Sequence, residues 1–172
     1  KVSCKASVDG FLNAWIDFNR DGKWSGPAEQ IFIDKPLVAG WNTLKFYVPT
    51  FAEEGRSYAR FRFNTTGGLT YEGPAADGEV EDYLVAIFPE GWGFHVTDLS
   101  HLIVVPVDVN QVLKGSDSYA LMPGDFLGAS FQDGDENKIG GAILWQGDDN
   151  QVLIAYGDDP TTPEKEGAQE NE

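Results

Sequence analysis

The alternation of apolar and polar residues in short segments is the feature that most constrains how this chain can fold. In the segment 11–18, Leu12 and Ala14 are predicted to face one way, while Asn13 and Trp15 face the other. Because successive side chains of a strand point to opposite faces, this period of two predicts a half-buried β-strand. Further strands are predicted at 30–34, 43–48, 58–64 and 78–88. No segment has a sustained helical period, so the sequence predicts an all-β, antiparallel β-sandwich of jelly-roll-like type.

Turn residues near position 89 predict a boundary between two β units. After Pro89, Glu90 and Gly91, strands are predicted at 92–97, 102–105, 126–131, 139–145 and 151–156. We therefore expect a β-sandwich domain over 1–88 and a second small β module over 89–172. The acidic tail, 158–172, has almost nothing to bury, so its end is expected to be a linker or disordered.

The charge balance limits the kinds of partner. The 172 residues include 28 acidic and 12 basic side chains, for a net charge of −16. Nucleic acids and anionic membrane surfaces are bound through clustered Lys and Arg, so neither is expected as a partner. There is no run of 18 apolar residues, so no membrane insertion is expected. The chain begins at Lys1 without a signal peptide, and we expect it to be part of a larger multidomain chain.

Oxygen-bearing side chains follow the first predicted strand at alternate positions. Asp17, Asn19 and Asp21 stand at positions one, three and five of a D-x-N-x-D-G loop. Position seven, Lys23, can give its backbone carbonyl, and Glu29 supplies a further carboxylate. Ca²⁺ takes six to eight oxygen ligands of these kinds, so the loop predicts a Ca²⁺ site. The alternative is an ordinary turn, because Asp, Asn and Gly also favour turns.

A second acidic cluster contains Asp77, Glu79, Glu81 and Asp82, and alternation predicts that Asp82 faces away from the other three. Carboxylates two residues apart on a strand lie about 7 Å from each other, and we expect solvent, a cation, Arg60 or Arg62 to compensate their charge. These acids could close the shell of the predicted Ca²⁺ site. They could also form the carboxylate pair of a glycosidase. Such a pair needs one carboxyl held protonated in an apolar pocket, and no such pocket is evident, so we expect no enzymatic activity.

Three aromatic residues are candidates for ligand binding. Trp24, Trp41 and Tyr71 lie near predicted turns or on wet faces, where their rings could stack on sugars. Aromatic residues of a β-sandwich more often belong to the core. If these three rings are exposed instead, the alternative function is a carbohydrate-binding module of a secreted hydrolase.

Three separated motifs in the first half resemble the GEVED domain, a module of bacterial secreted and cell-surface proteins. They are A-W-I-D-F-N-R-D-G-K-W at 14–24, F-R-F-N at 61–64 and D-G-E-V-E-D-Y at 77–83. The resemblance implies a noncatalytic accessory unit of peptidases, adhesins and large surface proteins, with the acidic motifs as Ca²⁺ ligands. The second half is similar to a module of Bacteroidetes surface proteins, through segments 93–101, 121–128, 140–145 and 155–167.

These observations combine into one expected function. We expect a noncatalytic, Ca²⁺-binding β module of a secreted or surface-anchored bacterial protein. It would act in adhesion or substrate targeting, with a polysaccharide or another cell-surface component as its partner.

Overall fold

The structure is a computed structural model that describes residues 1–94, 99–108, 111–114, 117–133 and 135–158. All regular secondary structure in these residues is β-strand, and every strand pairing is antiparallel. Two compact units divide the chain, Lys1–Ile87 and Phe88–Glu172. Among the described residues, no helix has the length and apolar character needed to cross a bilayer.

The first unit contains six strands in two sheets. They are β1 (Val2–Ala6), β2 (Gly10–Ile16), β3 (Gln30–Leu37), β4 (Gly40–Leu44), β5 (Gly55–Asn64) and β6 (Glu79–Ile87). One sheet has the order β3-β2-β5-β6, and the other pairs β1 with β4. The apolar side chains between the sheets form the core, which includes Ala6, Leu12, Ala14, Phe32, Leu37 and Leu44. The predicted antiparallel β-sandwich is confirmed.

Strand β2 differs from its prediction, because both of its faces are buried. The exposed fractions of Asn13 and Trp15 are only 1% and 3%, although the sequence predicts them on a wet face. The segment 70–73, which follows β5, lies against this outer face. Arg62 of β5 donates hydrogen bonds to three carbonyl oxygens of that segment, at 2.7–2.9 Å. The ring of Tyr71 meets Trp15 edge to face.

The two-stranded sheet also differs from the prediction. No strand was predicted at β1, and the fourth strand was predicted to continue to residue 48. The strand ends at Leu44 because its partner β1 begins at Val2, and these two residues are paired in the register. Beyond Leu44 the alternation persists without a pairing partner, with Phe46 packed on the core and Tyr47 exposed.

The described residues of the second unit form three two-stranded sheets. Its strands are β7 (Ser100–Val105), β8 (Gln111–Lys114), β9 (Asp117–Ala120), β10 (Phe126–Asp133), β11 (Glu136–Leu144) and β12 (Gln151–Tyr156). They pair as β7 with β12, β8 with β9 and β10 with β11. Of the strand predicted at 92–97, residues 92–94 are not in a strand, and residues 95–97 lie outside the described residues. The predicted linker also lies outside them from residue 159 onward.

Candidate metal centre

The β2–β3 loop (residues 17–29) is closed at its base by hydrogen bonds to its neighbours. The backbone N–H of Ile16 donates to the carbonyl of Glu29 at 2.9 Å. The N–H of Asp17 donates to the carbonyl of Tyr58 in β5 at 3.0 Å, and the hydroxyl of Ser57 donates to the carbonyl of Asp17. Both ends of the loop are therefore fixed beside the start of β5.

Arg20 fixes the middle of the loop. Its guanidinium donates to the carbonyl of Glu54 at 2.6 Å and to the carbonyl of Arg56 at 3.1 Å. The intervening Gly55 has a φ of +121°, which favours glycine, and a Cβ there would lie 2.8 Å from Arg20 Nη1 and push the guanidinium aside. The loop is thus held in shape by contacts outside its own acidic residues.

Three of the predicted ligands make hydrogen bonds within the loop. Asp17, which is buried, accepts from the N–H groups of Asp21 and Gly22 at 3.2 and 2.9 Å. Asn19 Oδ1 accepts from the N–H of Asp21 at 3.1 Å, and Asp21 Oδ1 accepts from that of Lys23 at 2.9 Å. An ordinary turn makes such bonds. Each carboxylate has about four lone-pair sites, so the same oxygens can still ligate a cation.

Glu29 is the residue that turn chemistry does not explain. Its exposed fraction is 1%, and its Oε2 accepts from the N–H of Gly26 at 2.6 Å. Its Oε1 is also buried and accepts no hydrogen bond of normal geometry, although the N–H of Asn19 is close enough to lower the pKa of the carboxyl. Burial raises the pKa of Glu29, against the lowering effect of the N–H groups of Gly26 and Asn19, and the charges of Asp17 and Asp21 raise it further. Leaving such an acceptor unpaired costs about 1–3 kcal/mol, which a bound cation would offset.

The donor set of the loop is mixed. In the part of the chain that the structure describes, no group of three or more His, Cys, Asp or Glu side chains is arranged to hold a metal ion. The loop adds the amide oxygen of Asn19 and the carbonyl of Lys23 to the carboxylates of Asp17, Asp21 and Glu29. Ca²⁺ shells combine carboxylate, amide and carbonyl oxygens in flexible geometry, so this set fits Ca²⁺ better than a metal that requires nitrogen or sulfur.

The second acidic cluster is divided between the two faces of β6. Asp82 pairs with Arg60, whose Nε and Nη2 donate to its two oxygens at 2.7 and 2.6 Å. The hydrogen bonds from Arg60 hold the pKa of Asp82 below its ordinary value. Glu81 points to the opposite face, where its Oε2 accepts from the hydroxyl of Tyr83 at 2.5 Å. Of the two arginines predicted to compensate this cluster, Arg60 does so, whereas Arg62 binds backbone carbonyls instead.

The strand register separates these acids from the β2–β3 loop. Tyr58 contacts Asp17, whereas Glu81 and Glu79 are paired three and five residues farther along β5. At about 3.3 Å per residue, the separation along the strand is about 10–17 Å. Since Arg60 engages both oxygens of Asp82, the structure brings none of the three acids into the oxygen cluster of the loop.

The three candidate aromatic residues lie on two sides of the sandwich. The ring of Trp24 lies 4.3 Å from Arg60 Cζ, in a cation–π contact on the outer face of the four-stranded sheet. The carbonyl of Tyr71 accepts from Arg60 on the same side, at 2.9 Å. Trp41 belongs to β4, in the sheet that covers the opposite face, and is 73% exposed. These residues therefore do not line up as one sugar-stacking platform.

Two residues that support the loop were absent from the predicted set. Arg20 is a cation between the predicted ligands Asn19 and Asp21, and this placement is a signal from which a structural role could have been predicted. Ser57 is 1% exposed and lies in an ordinary strand segment, so nothing in the sequence marks its bond to Asp17.

The family model of the GEVED domain matches residues 11–86. The first half of the chain is a GEVED domain. The match confirms the predicted family for this half, and it runs from β2 to the last residue but one of β6. Comparisons with curated proteins and with solved structures find no match.

The pentapeptide G-E-V-E-D of the GEVED domain occupies residues 78–82. Gly78 has a φ of +94°, and a Cβ at this position would collide with the carbonyl oxygen of Phe63. Asp82 forms the ion pair with Arg60. These contacts explain the first and last residues of the motif structurally, but they give no reason for Glu79 and Glu81.

Proposed function

We propose that the GEVED domain is a noncatalytic, Ca²⁺-stabilised module of a secreted or surface-anchored bacterial protein, where it serves adhesion or substrate targeting. The observation that carries the Ca²⁺ part is the buried Oε1 of Glu29, which accepts no hydrogen bond of normal geometry and lies beside two further carboxylates. The family match supports the setting, because it suggests a family of surface modules.

Five groups would hold the ion: the side chains of Asp17, Asn19, Asp21 and Glu29 and the carbonyl of Lys23. The three carboxylates repel one another, and the positive charges of a bound cation would compensate this repulsion. Because an ion held by these five groups would bind the folded loop and not the unfolded chain, its affinity would add to the free energy of unfolding. Arg20 and Ser57 would hold the loop ready for binding.

The proposal assigns no catalytic role to Glu79 and Glu81. A glycosidase pair requires one carboxyl in an apolar pocket that keeps it protonated. Both side chains are exposed in the structure. A role for the module in positioning a partner requires no such pocket.

Thermal unfolding in excess Ca²⁺ and in excess chelator tests the ion site. At a Ca²⁺ concentration 100 times the dissociation constant, the expected stabilisation is about 2.7 kcal/mol. For a unit of this size each kcal/mol raises the melting temperature by about 4–8 °C. Asp17→Ala should abolish the rise, whereas Glu53→Ala, which removes an exposed acid outside the loop, should retain it.

A Mg²⁺ arm controls for screening of the net negative charge, because Mg²⁺ should give a much smaller shift in this flexible loop. Equal melting temperatures of the wild-type protein in Ca²⁺ and in chelator would contradict the Ca²⁺ site. The loop would then be an ordinary turn with one costly buried carboxylate.

A further inference from the structure

A cleft lies between the two sheets of the GEVED domain on the side of β6. It exists because only two strands cover the inner face of a four-stranded sheet. Its volume is about 540 Å³, and its lining includes Leu12, Phe61 and Phe63 of the four-stranded sheet. This volume falls within the range of about 300–1,000 Å³ that is typical of ligand sites. The cleft thus offers an apolar floor that the core does not fill.

One wall of the cleft is the edge of β1. Residues from both faces of this strand, among them Cys4 and Lys5, line the cleft, as expected where a strand borders it edge-on. Within the described residues, β1 pairs with β4 and with no other strand, so its second edge carries unpaired backbone donors and acceptors. The strand spans five residues, or about 17 Å. An unpaired edge of this length can accept an added strand.

The other wall carries two carboxylates. Glu79 and Glu81 of β6 both line the cleft, and neither has a cationic partner among the described residues. The ring of Tyr83 packs edge to face on Phe61 at 5.7 Å, and its hydroxyl donates to Glu81, which fixes that carboxylate above the floor. Lys5 is the only basic residue of the lining, so the cleft has a net negative charge.

We propose that this cleft binds an extended peptide segment with Lys or Arg at every second position. The peptide backbone would pair with the free edge of β1. Its inward side chains would lay their aliphatic stems on Phe61 and Phe63 and place their charges against Glu79 and Glu81. The spacing matches, because side chains two residues apart are about 7 Å apart in the bound strand and in β6 alike.

A peptide explains more of the site than a glycan does. A glycan would use stacking on ring faces, and Trp41, which also lines the cleft, is 73% exposed. Phe61 on the floor is already covered on one side by the edge contact with Tyr83, and stacking would leave Glu79 and Glu81 without a role. A row of unpaired backbone groups beside two carboxylates without a cationic partner matches a basic strand in both hydrogen bonding and charge. The net charge of −16 would also steer a cationic segment toward this protein.

This inference deepens the proposed targeting role and rests on it for its biological setting, but the binding step does not involve the Ca²⁺ loop. The probe is a fluorescent octapeptide that alternates lysine and threonine, titrated with the full chain in Ca²⁺ and followed by anisotropy. A matched peptide with glutamate in place of lysine is the charge control, and we expect it not to bind.

Two pairs of variants separate the cleft from general charge attraction. Glu79→Gln combined with Glu81→Gln should weaken binding about fivefold, the effect of two solvent-exposed ion pairs. Glu53→Gln combined with Glu54→Gln removes the same charge outside the cleft and should change binding less than twofold. Equal weakening by both pairs would overturn the proposal.

The peptide backbone provides the decisive test. A strand added to an edge uses only every second N–H group for pairing. N-methylation of one alternate set of amides should therefore abolish binding, whereas methylation of the other set should not. Equal binding of both methylated peptides, or no binding of the unmethylated one, would overturn the proposal. Binding of chito- or cello-oligosaccharides with the same sensitivity to the Glu79 and Glu81 changes would also overturn it, in favour of a glycan site.

The two proposals fail separately. If Ca²⁺ does not shift the melting temperature but the peptide binds, only the proposal of an ion site is wrong. If Ca²⁺ shifts the melting temperature but the peptide does not bind, only the proposal of a peptide site in the cleft is wrong.

Discussion

Replacing Glu29 by glutamine should change stability in opposite directions with and without Ca²⁺. Glutamine has the same shape, and its carbonyl oxygen can keep the hydrogen bond from Gly26. The substitution removes a buried negative charge that lies near Asp17 and Asp21. It also removes one proposed ligand of the ion. In chelator only the loss of the buried charge changes the free energy of unfolding. In Ca²⁺ the loss of the ligand changes it as well.

The magnitudes follow from the burial of Oε1 of Glu29. Glutamine places an NH₂ group where Oε1 stood, and the gain comes from removing a buried charge that Asp17 and Asp21 repel, so Glu29→Gln should stabilise the metal-free unit by about 1–2 kcal/mol. Weakening Ca²⁺ affinity a hundredfold would remove about 2.7 kcal/mol of ion-linked stability. The net effect in excess Ca²⁺ is then a destabilisation of about 1 kcal/mol.

A pH series in chelator adds a second signature. The folded-state pKa of Glu29 lies above its ordinary value of 4.5, so the folded state binds this proton more tightly than the unfolded state does. The wild-type protein should therefore lose stability as pH rises from about 4.5 through the raised pKa. Glu29→Gln should lack this contribution.

Urea unfolding of the two proteins, each with Ca²⁺ and with chelator, measures all four free energies. Glu53→Gln serves as the control for loss of one exposed acid. It should change the free energy of unfolding by no more than about 0.5 kcal/mol in either condition. If Glu29→Gln destabilises the protein equally in both conditions, the buried carboxylate supports the fold through a contact other than an ion. The reasoning from the unpaired oxygen would then be wrong.

Two further predictions concern Gly78 and Asp34 of the GEVED domain. Gly78→Ala should destabilise it by about 2–4 kcal/mol in urea unfolding, because of the positive φ and the collision with the Phe63 carbonyl. Gly68→Ala, which has a similar φ and open space around it, should cost only about 1 kcal/mol, and an equal loss in both would exclude the collision. The hydrogen bonds from Asn13 and from the N–H of Gly68 lower the pKa of Asp34, so this group stabilises the fold above about pH 3.8, and the contribution is lost as pH falls through the lowered value. An acid titration of Asp34→Asn should show a shallower loss below pH 3.8, and an unchanged slope would contradict this assignment.

Alternation of apolar and polar residues was sufficient to predict most strands, because a period of two depends on the backbone alone. It located β2, β3, β5 and β6 of the first unit and β7, β10, β11 and β12 of the second, but it did not predict β8 or β9. It failed for β1, whose sequence V-S-C-K-A is short and carries only small or moderately apolar residues. Such a segment becomes a strand through its pairing with β4, and a single sequence does not show that partner.

The same pattern could not predict the burial of the outer face of β2. Asn13 and Trp15 look like residues of a wet face, and a covering loop is the reason they are not. That loop is held by Arg62, which binds carbonyl groups of segment 70–73. Carbonyl acceptors are present at every residue, so a contact of this kind leaves no mark in the sequence.

The spacing of Asp17, Asn19 and Asp21 was sufficient to predict the oxygen-rich β2–β3 loop, because residues at alternate positions of a short loop lie close together in space. It could not show that Glu29 is buried and keeps an unpaired oxygen, since this depends on how the loop closes beside β5. Alternation also predicted that Asp82 lies on the opposite face of its strand from Glu79 and Glu81, as the structure shows. Neighbouring residues of a strand point to opposite faces, so acids that look like one cluster belong to two surfaces.

The division of the acidic pentapeptide between two faces assigns different physical roles to its members. Asp82 stabilises the outer face, because its two oxygens are bound by Arg60. Glu79 and Glu81 face the cleft, and an exposed pair of like charges there does not stabilise the fold by itself. A ligand of opposite charge would give these two carboxylates a role that folding does not. The cleft therefore directs the search for a partner toward basic, extended segments.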